Sequence, residues 1–168
     1  DLPRLSDTGI EVASIALALK ADPTRDIFTG LQASEKLVKE MDLSDRKVIA
    51  FATHGLIPGE LNGLSEPALA LSDPAVSGGL GEDGLLTMSE IMSLRLNADW
   101  VVLSACNTAS GQGAEAVSGL GSAFFYAGAR AILATGWPVE TTSARSLTTK
   151  LFALQSADAS LERSQALR

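Results

Sequence analysis

Lys47-Val48-Ile49-Ala50-Phe51-Ala52-Thr53-His54-Gly55 is the stretch whose reading decides the fold. Its apolar residues do not alternate between an inner and an outer face. A strand patterned this way is buried on both sides, as central strands of parallel sheets are, because helices cover both faces. His54-Gly55 ends the run, and this histidine is the only one in the chain. A second run of the same character, Trp100-Val101-Val102-Leu103-Ser104, leads into Ala105-Cys106-Asn107-Thr108, which holds the only cysteine. Ala131-Ile132-Leu133-Ala134-Thr135 is the third.

Helical patterns surround these strands. Thr8-Gly9-Ile10-Glu11 reads as a capping box opening a helix with Val12, Ile15, Ala16 and Leu19 inward. Asp22-Pro23 stops it, and Asp26-Ile27-Phe28-Thr29 reads as a short strand. Ser34 caps a helix with Leu37, Val38 and Met41 inward. Ala68-Leu69-Ala70-Leu71 is a short strand, and the Gly- and Pro-rich residues Ser72 to Gly84 form an exposed loop. Thr87-Met88-Ser89-Glu90 is a second capping box, opening a helix through Leu94. Glu115 to Ala127 is helical with Val117, Leu120, Phe124 and Ala127 on one face. Gly119 and Gly121 let it lie close to the sheet, and Gly128 ends it. A helix from about Thr142 turns Ala144, Leu147, Leu151 and Leu154 inward, and Asp158 to Arg168 starts another. Strands alternating with helices give an α/β three-layer sandwich with a mostly parallel central sheet.

The 168 residues amount to one domain, and 46% apolar content supports a real core. A formal charge of −7 with no basic stripe argues against nucleic-acid binding. One cysteine closes no internal disulfide, and with one histidine it assembles no Cys/His zinc site. No metal or cofactor is implied. A lone thiol fits a reducing compartment, so a cytoplasmic location is expected. No apolar run reaches the roughly 18 residues that span a bilayer.

His54 and Cys106 both follow strands, and in an open α/β sheet ligands bind beyond the carboxyl ends of the strands. A thiol becomes a strong nucleophile when a neighbouring base favours the thiolate. Imidazole suits that role because it titrates near neutrality. Acyl chemistry also needs donors for the oxyanion. Gly55, with no side chain in the way, and the amide of Cys106 itself are the candidates. The bland readings are a small buried cysteine and a structural histidine.

Taken in order, these motifs resemble those of the CHAT domain, a caspase- and separase-like peptidase domain often found behind tetratricopeptide repeats. Caspases likewise place a histidine about 50 residues before an Ala-Cys pair. The resemblance is carried by Leu2-Pro3-Arg4-Leu5-Ser6-Asp7-Thr8 with Glu11-Val12, by Phe51 to Gly55, and by Val101 to Thr108. It continues through Ala127-Gly128-Ala129-Arg130, Trp137-Pro138-Val139 and Ala166-Leu167-Arg168. It implies a caspase-like cysteine endopeptidase acting on a protein substrate, regulated by a partner or by attached repeat domains. His54 is then the general base or the partner that stabilises the thiolate, Cys106 the nucleophile, and Gly55 with the Cys106 amide the oxyanion site. Trp137 and Glu140 are candidate pocket residues. Pro138 stands where related separases carry an acid that reads an arginine before the cleaved bond. The family's first and last strands are expected to be missing, the chain being truncated at both ends.

Two other functions compete. One is a catalytically silent caspase-like interaction domain. The other is a dinucleotide-binding domain, suggested by Gly111-Gln112-Gly113-Ala114-Glu115-Ala116. In the latter, however, six residues separate Ser104 from the glycines, where a tight turn directly off the strand is needed. Glu82 and Asp83 read as solvated loop-tip acids, and Asp99 as a surface residue at a strand start.

Overall fold

The computed structural model describes residues 2, 5, 7–79, 81–104, 113–134 and 141–157; for 113–116, 141–145 and 156–157 the description is of backbone alone. In chain order the elements are α1 (Thr8–Ala18), α2 (Pro23–Asp26), α3 (Glu35–Glu40), β1 (Val48–Ala52), β2 (Gly55–Leu56), β3 (Ala68–Ala70) and α4 (Pro74–Ser77). Then come β4 (Leu85–Thr87), α5 (Met88–Ser93), β5 (Trp100–Ser104), α6 (Gly113–Ala127), β6 (Ile132–Ala134) and α7 (Thr141–Ala157). They divide into two compact units, Asp1–Phe28 with Val139–Arg168, and Thr29–Pro138.

The larger unit holds the three expected strands as one parallel sheet in the order β1-β5-β6. Every residue of β5 is buried, whereas β1 and β6 are mostly half-buried. The difference follows from position, since β5 alone has a strand on each side. Val101 and Leu103 pack with Phe51, Leu120 and Phe124 in the main core, where the Phe51 and Phe124 ring centroids are 5.5 Å apart. The α/β class with a parallel sheet is therefore as expected, and consistent with a caspase-like sandwich.

A second sheet was not legible in the sequence. Its strands β2, β3 and β4 pair antiparallel in chain order. Only β3 gave a signal, its three residues lying in the apolar run Ala68-Leu69-Ala70-Leu71; β2 has two residues, and β4 runs straight into the capping box of α5.

The helices of the larger unit follow their caps. Ser34 accepts from the Leu37 amide at 3.3 Å, as expected. The Thr87/Glu90 capping box is fully formed: Thr87 Oγ1 accepts from the Glu90 amide, and the Glu90 carboxylate accepts from the Thr87 amide at 2.9 Å. Helix α6 begins at Gly113, two residues before the expected Glu115, and buries Leu120, Phe124 and Ala127 as predicted. It ends in a Schellman arrangement, with the Gly128 amide on the Phe125 carbonyl and the Ala129 amide on that of Phe124. Gly128 has φ +114°, and a Cβ there would lie 2.2 Å from the Leu96 carbonyl oxygen. Gly119 is also a point of close approach, with Pro67 Cγ 2.9 Å from where its Cβ would be. Among the described residues nothing approaches Gly121 in that way.

Three local readings in the smaller unit need correction. Thr8 is the first residue of α1 rather than its cap; its hydroxyl donates to the Leu5 carbonyl, and Asp7 at the N-cap makes no side-chain cap bond. The segment Asp26–Thr29, expected as a strand, is not one: Asp26 is the last residue of the helical turn α2, for which Pro23 is the first residue and Asp22 the cap, and residues 27–29 belong to neither helix nor strand. Proline restarts a helix here because its missing amide proton is not needed in a first turn. Helix α7 buries Thr148, Leu151 and Phe152, while Leu147 and Leu154, expected inward, are half exposed. The buried stripe is turned by up to one position, about 100° around the helix axis, from the expected one, with Leu151 common to both. Ala144 and the expected helix after Asp158 fall outside the described side chains and residues.

Candidate active site

The ends of β1 and β5 lie side by side. Val48 pairs with Trp100 and Ala52 with Ser104, an offset of 52 residues maintained along the whole ladder. The Thr53 amide then donates to the Ser104 carbonyl at 3.3 Å, carrying the pairing one step past β1. His54 and Cys106 are separated in sequence by the same 52 residues. Both thus follow their strands by the same count. Cys106 itself, with Ala105 and residues 107–112, lies outside the described residues. So do Trp137, Pro138 and Glu140.

His54 is half-buried, and its backbone is fixed on the side of the second sheet. Its carbonyl accepts from the Ala70 amide at 2.9 Å, and the neighbouring Thr53 hydroxyl donates to the Ala70 carbonyl. Gly55 is buried in β2, opposite Leu69. In an antiparallel ladder, hydrogen-bonded and non-bonded pairs alternate. The Ala70–His54 bond makes Gly55–Leu69 a non-bonded pair, so the Gly55 amide points away from β3.

The loop expected to be merely exposed is tied down. Asp73 caps the short helix α4, and Gly78 ends it. The Leu71 amide donates to the Gly84 carbonyl at 2.7 Å, closing the loop at its base. Glu82, read as a loop-tip acid, is instead part of a cluster that the sequence reading missed. Lys39 Nζ lies 3.1 Å from Glu35, 2.6 Å from Glu82 and 2.9 Å from Glu90. The four residues come from α3, the loop and α5. Only the Glu35–Lys39 spacing, one helical turn apart, was a sequence signal.

Glu35 is 2% exposed and its second oxygen accepts from the amides of Gly84 at 2.9 Å and Asp83 at 3.2 Å. Burial, followed by a hydrogen bond shared with Glu82, raises its carboxyl to about 7. Glu82 is held below the usual carboxylate range chiefly by its bond to Lys39. Glu90 is lowered too: its burial acts in the opposite direction, and the Thr87 amide and Lys39 outweigh it. The three carboxylates are the one group among the described residues close enough to hold a metal ion. The Lys39 ammonium already supplies a cation at their centre. Asp99, as expected, is a surface residue at a strand start, and Arg130 pairs with it at 2.6 Å.

No described helix is long and apolar enough to cross a membrane. Of the dinucleotide motif, Gly111 and Gln112 lie outside the described residues and Gly113 opens α6. No curated protein matches the chain. The CHAT domain family matches it over residues 1–168, in agreement with the order of its motifs and its parallel α/β sheet, and the chain belongs to that family.

Proposed function

We propose that this chain is a cysteine endopeptidase domain in which His54 and Cys106 form the catalytic pair. The observation that carries the reading is the in-register pairing of β1 with β5, whose offset equals the spacing of the two residues. In the reaction, the Cys106 thiolate attacks the scissile carbonyl and forms the C–S bond. The negative charge moves to the carbonyl oxygen, for which the Gly55 and Cys106 amides are the donors. His54, having accepted the thiol proton, returns it to the departing amine as the C–N bond breaks. Water, deprotonated by the same imidazole, then hydrolyses the acyl-enzyme and regenerates the thiol.

The substrate is a protein, and Trp137 and Glu140 border the pocket for the residue before the cleaved bond. An attached tetratricopeptide-repeat or other regulatory domain controls the site, in a cytoplasmic setting. The test is the rate at which iodoacetamide alkylates Cys106 near pH 7. A free thiol with its usual pKa of about 8.5 is only a few per cent thiolate there. We expect labelling at least about tenfold faster, falling to the free-thiol rate in His54→Ala. Cys106→Ala is expected to abolish peptide cleavage by about three orders of magnitude or more. Activity surviving in Cys106→Ala would sink the reading.

A further inference from the structure

We propose that Glu35, a buried carboxylate outside the catalytic pair, is a positioning residue for His54-Gly55, acting through the peptide between Ala70 and Leu71. This deepens the peptidase reading and rests on it for its functional consequence. The path is short and every link is a hydrogen bond or a covalent step. Glu35 accepts from the Gly84 amide at 2.9 Å. The Gly84 carbonyl accepts from the Leu71 amide at 2.7 Å. That amide belongs to the same planar peptide group as the Ala70 carbonyl, so fixing one end fixes the other. The Ala70 carbonyl accepts from the Thr53 hydroxyl, and the Ala70 amide donates to the His54 carbonyl. Thr53, the residue before the histidine, is thus hung on a peptide whose far side is held through Gly84, and the histidine's own carbonyl is held by the preceding peptide group, joined to it at the Ala70 Cα.

Gly84 is the joint of this path. Its φ of +81° is one that side-chain-bearing residues rarely adopt, and a Cβ there would meet Pro74 Cδ at 3.1 Å and the Ser72 carbonyl oxygen at 3.3 Å. Glu35 is fixed in turn. Lys39 from its own helix, Glu82 from the loop and Glu90 from α5 face it, and Lys39 bonds to all three acids.

The experiment compares the full chain with Glu35→Ala, Glu35→Gln, Thr53→Val and Glu40→Gln by nuclear magnetic resonance. The only histidine gives one unambiguous ring signal. Glu35→Ala removes the acceptor, and we expect the Ala70 and Leu71 amides to exchange at least about tenfold faster. The His54 ring signal should move with them. Glu35→Gln keeps an oxygen for the Gly84 amide and should rescue both readouts to near the wild-type values. Glu40→Gln, an exposed acid on the same helix, should change neither. Thr53→Val cuts the other end of the path and should speed exchange at Leu71; it keeps the test open if Glu35→Ala does not fold. Unchanged His54 and Ala70 signals in Glu35→Ala, or a Glu35→Gln as perturbed as Glu35→Ala, would overturn the proposal, as would an unchanged Leu71 in Thr53→Val. None of these signals needs turnover. Wild-type Cys106 labelling no faster than a free thiol would remove the peptidase reading and leave the coupling standing.

Discussion

The two sheets of the larger unit share one apolar core, to which Leu69 and Leu86 belong as fully as Val101 and Leu103, but they differ in ladder length and in the polar ties added to it. In the parallel sheet, β1 and β5 share five paired positions, and β5 is buried throughout. Its stability comes from apolar burial, the non-directional term that scales with area removed from water. The antiparallel sheet pairs over two positions between β2 and β3 and three between β3 and β4. Strands so short contribute little by themselves. Polar ties supplement them: Thr53 on Ala70, Glu35 on Gly84, the Thr87/Glu90 box, and the Met88 amide on the Pro67 carbonyl at 2.8 Å. Burial tolerates small displacements, whereas hydrogen bonds fix direction. The parallel sheet therefore supplies the platform, and hydrogen bonds from the antiparallel sheet hold Thr53 and the His54 carbonyl at the exit of β1.

This contrast makes an ordered set of predictions. The largest effect is expected from Phe124→Ala, which removes a fully buried ring packed on Phe51. It should cost about 3–5 kcal/mol in urea denaturation, with the native His54 signal in place. A native-state signal that moves as far as in Glu35→Ala would erase the division between platform and exit. Next comes Gly84→Ala, at a strained φ and with two close neighbours. It should cost about 1–3 kcal/mol and, unlike Phe124→Ala, shift the His54 ring signal.

Lys39→Met tests the acid cluster through pH. The Glu35 carboxyl is raised to about 7 from an ordinary 4.5. Between those values the unfolded chain has lost a proton that the folded chain keeps, so this group's contribution falls as pH rises from about 4.5 to about 7. Glu82 and Glu90 are lowered, so their contribution is present above about 4.5 and is lost as pH falls through their folded values. Removing the shared cation should therefore hurt most where all three acids are ionised. The deficit against wild type is expected to be about 1 kcal/mol above pH 7, discounted for the partial exposure of Lys39, and smaller at pH 4. Melting temperatures across that range check the slope; a deficit larger at pH 4 has the wrong sign. The smallest effect belongs to Arg130→Ala. Its ion pair with Asp99 lies on the parallel side, with the arginine side chain 51% exposed. A loss within about 1 kcal/mol and no pH slope near 7 are expected. A loss rivalling that of Phe124→Ala would show that the parallel sheet also depends on polar ties.

The sequence was most legible where burial is continuous. Trp100–Ser104, buried at every position, announces itself because a strand covered on both faces needs an unbroken apolar run; Val48–Ala52 and Ile132–Ala134 carry the same kind of run although they are mostly half-buried. Thr87/Glu90 and Ser34 were legible because a cap is a local contact, complete within four residues. Thr8 misled for the same reason: its residues fit a box, but the chain entering the helix uses Asp7 at the cap position instead. The Glu35–Lys39–Glu82–Glu90 cluster was opaque, because its members lie up to 55 residues apart and each has an ordinary surface reading alone.

By itself, then, the sequence determined the parallel strands, most helix ends and the family, and it named the pair of residues proposed to carry the chemistry. These depend on composition and near-neighbour spacing, which are written along the chain. Tertiary structure alone decided that β1 and β5 are adjacent with an offset matching the His54–Cys106 spacing, and that Gly55 enters a strand with its amide turned outward. It also decided that a buried acid from α3 holds the loop at Gly84. Register and long-range hydrogen bonds depend on which segments meet, and that is settled only when the core closes and each buried polar group must find its partner.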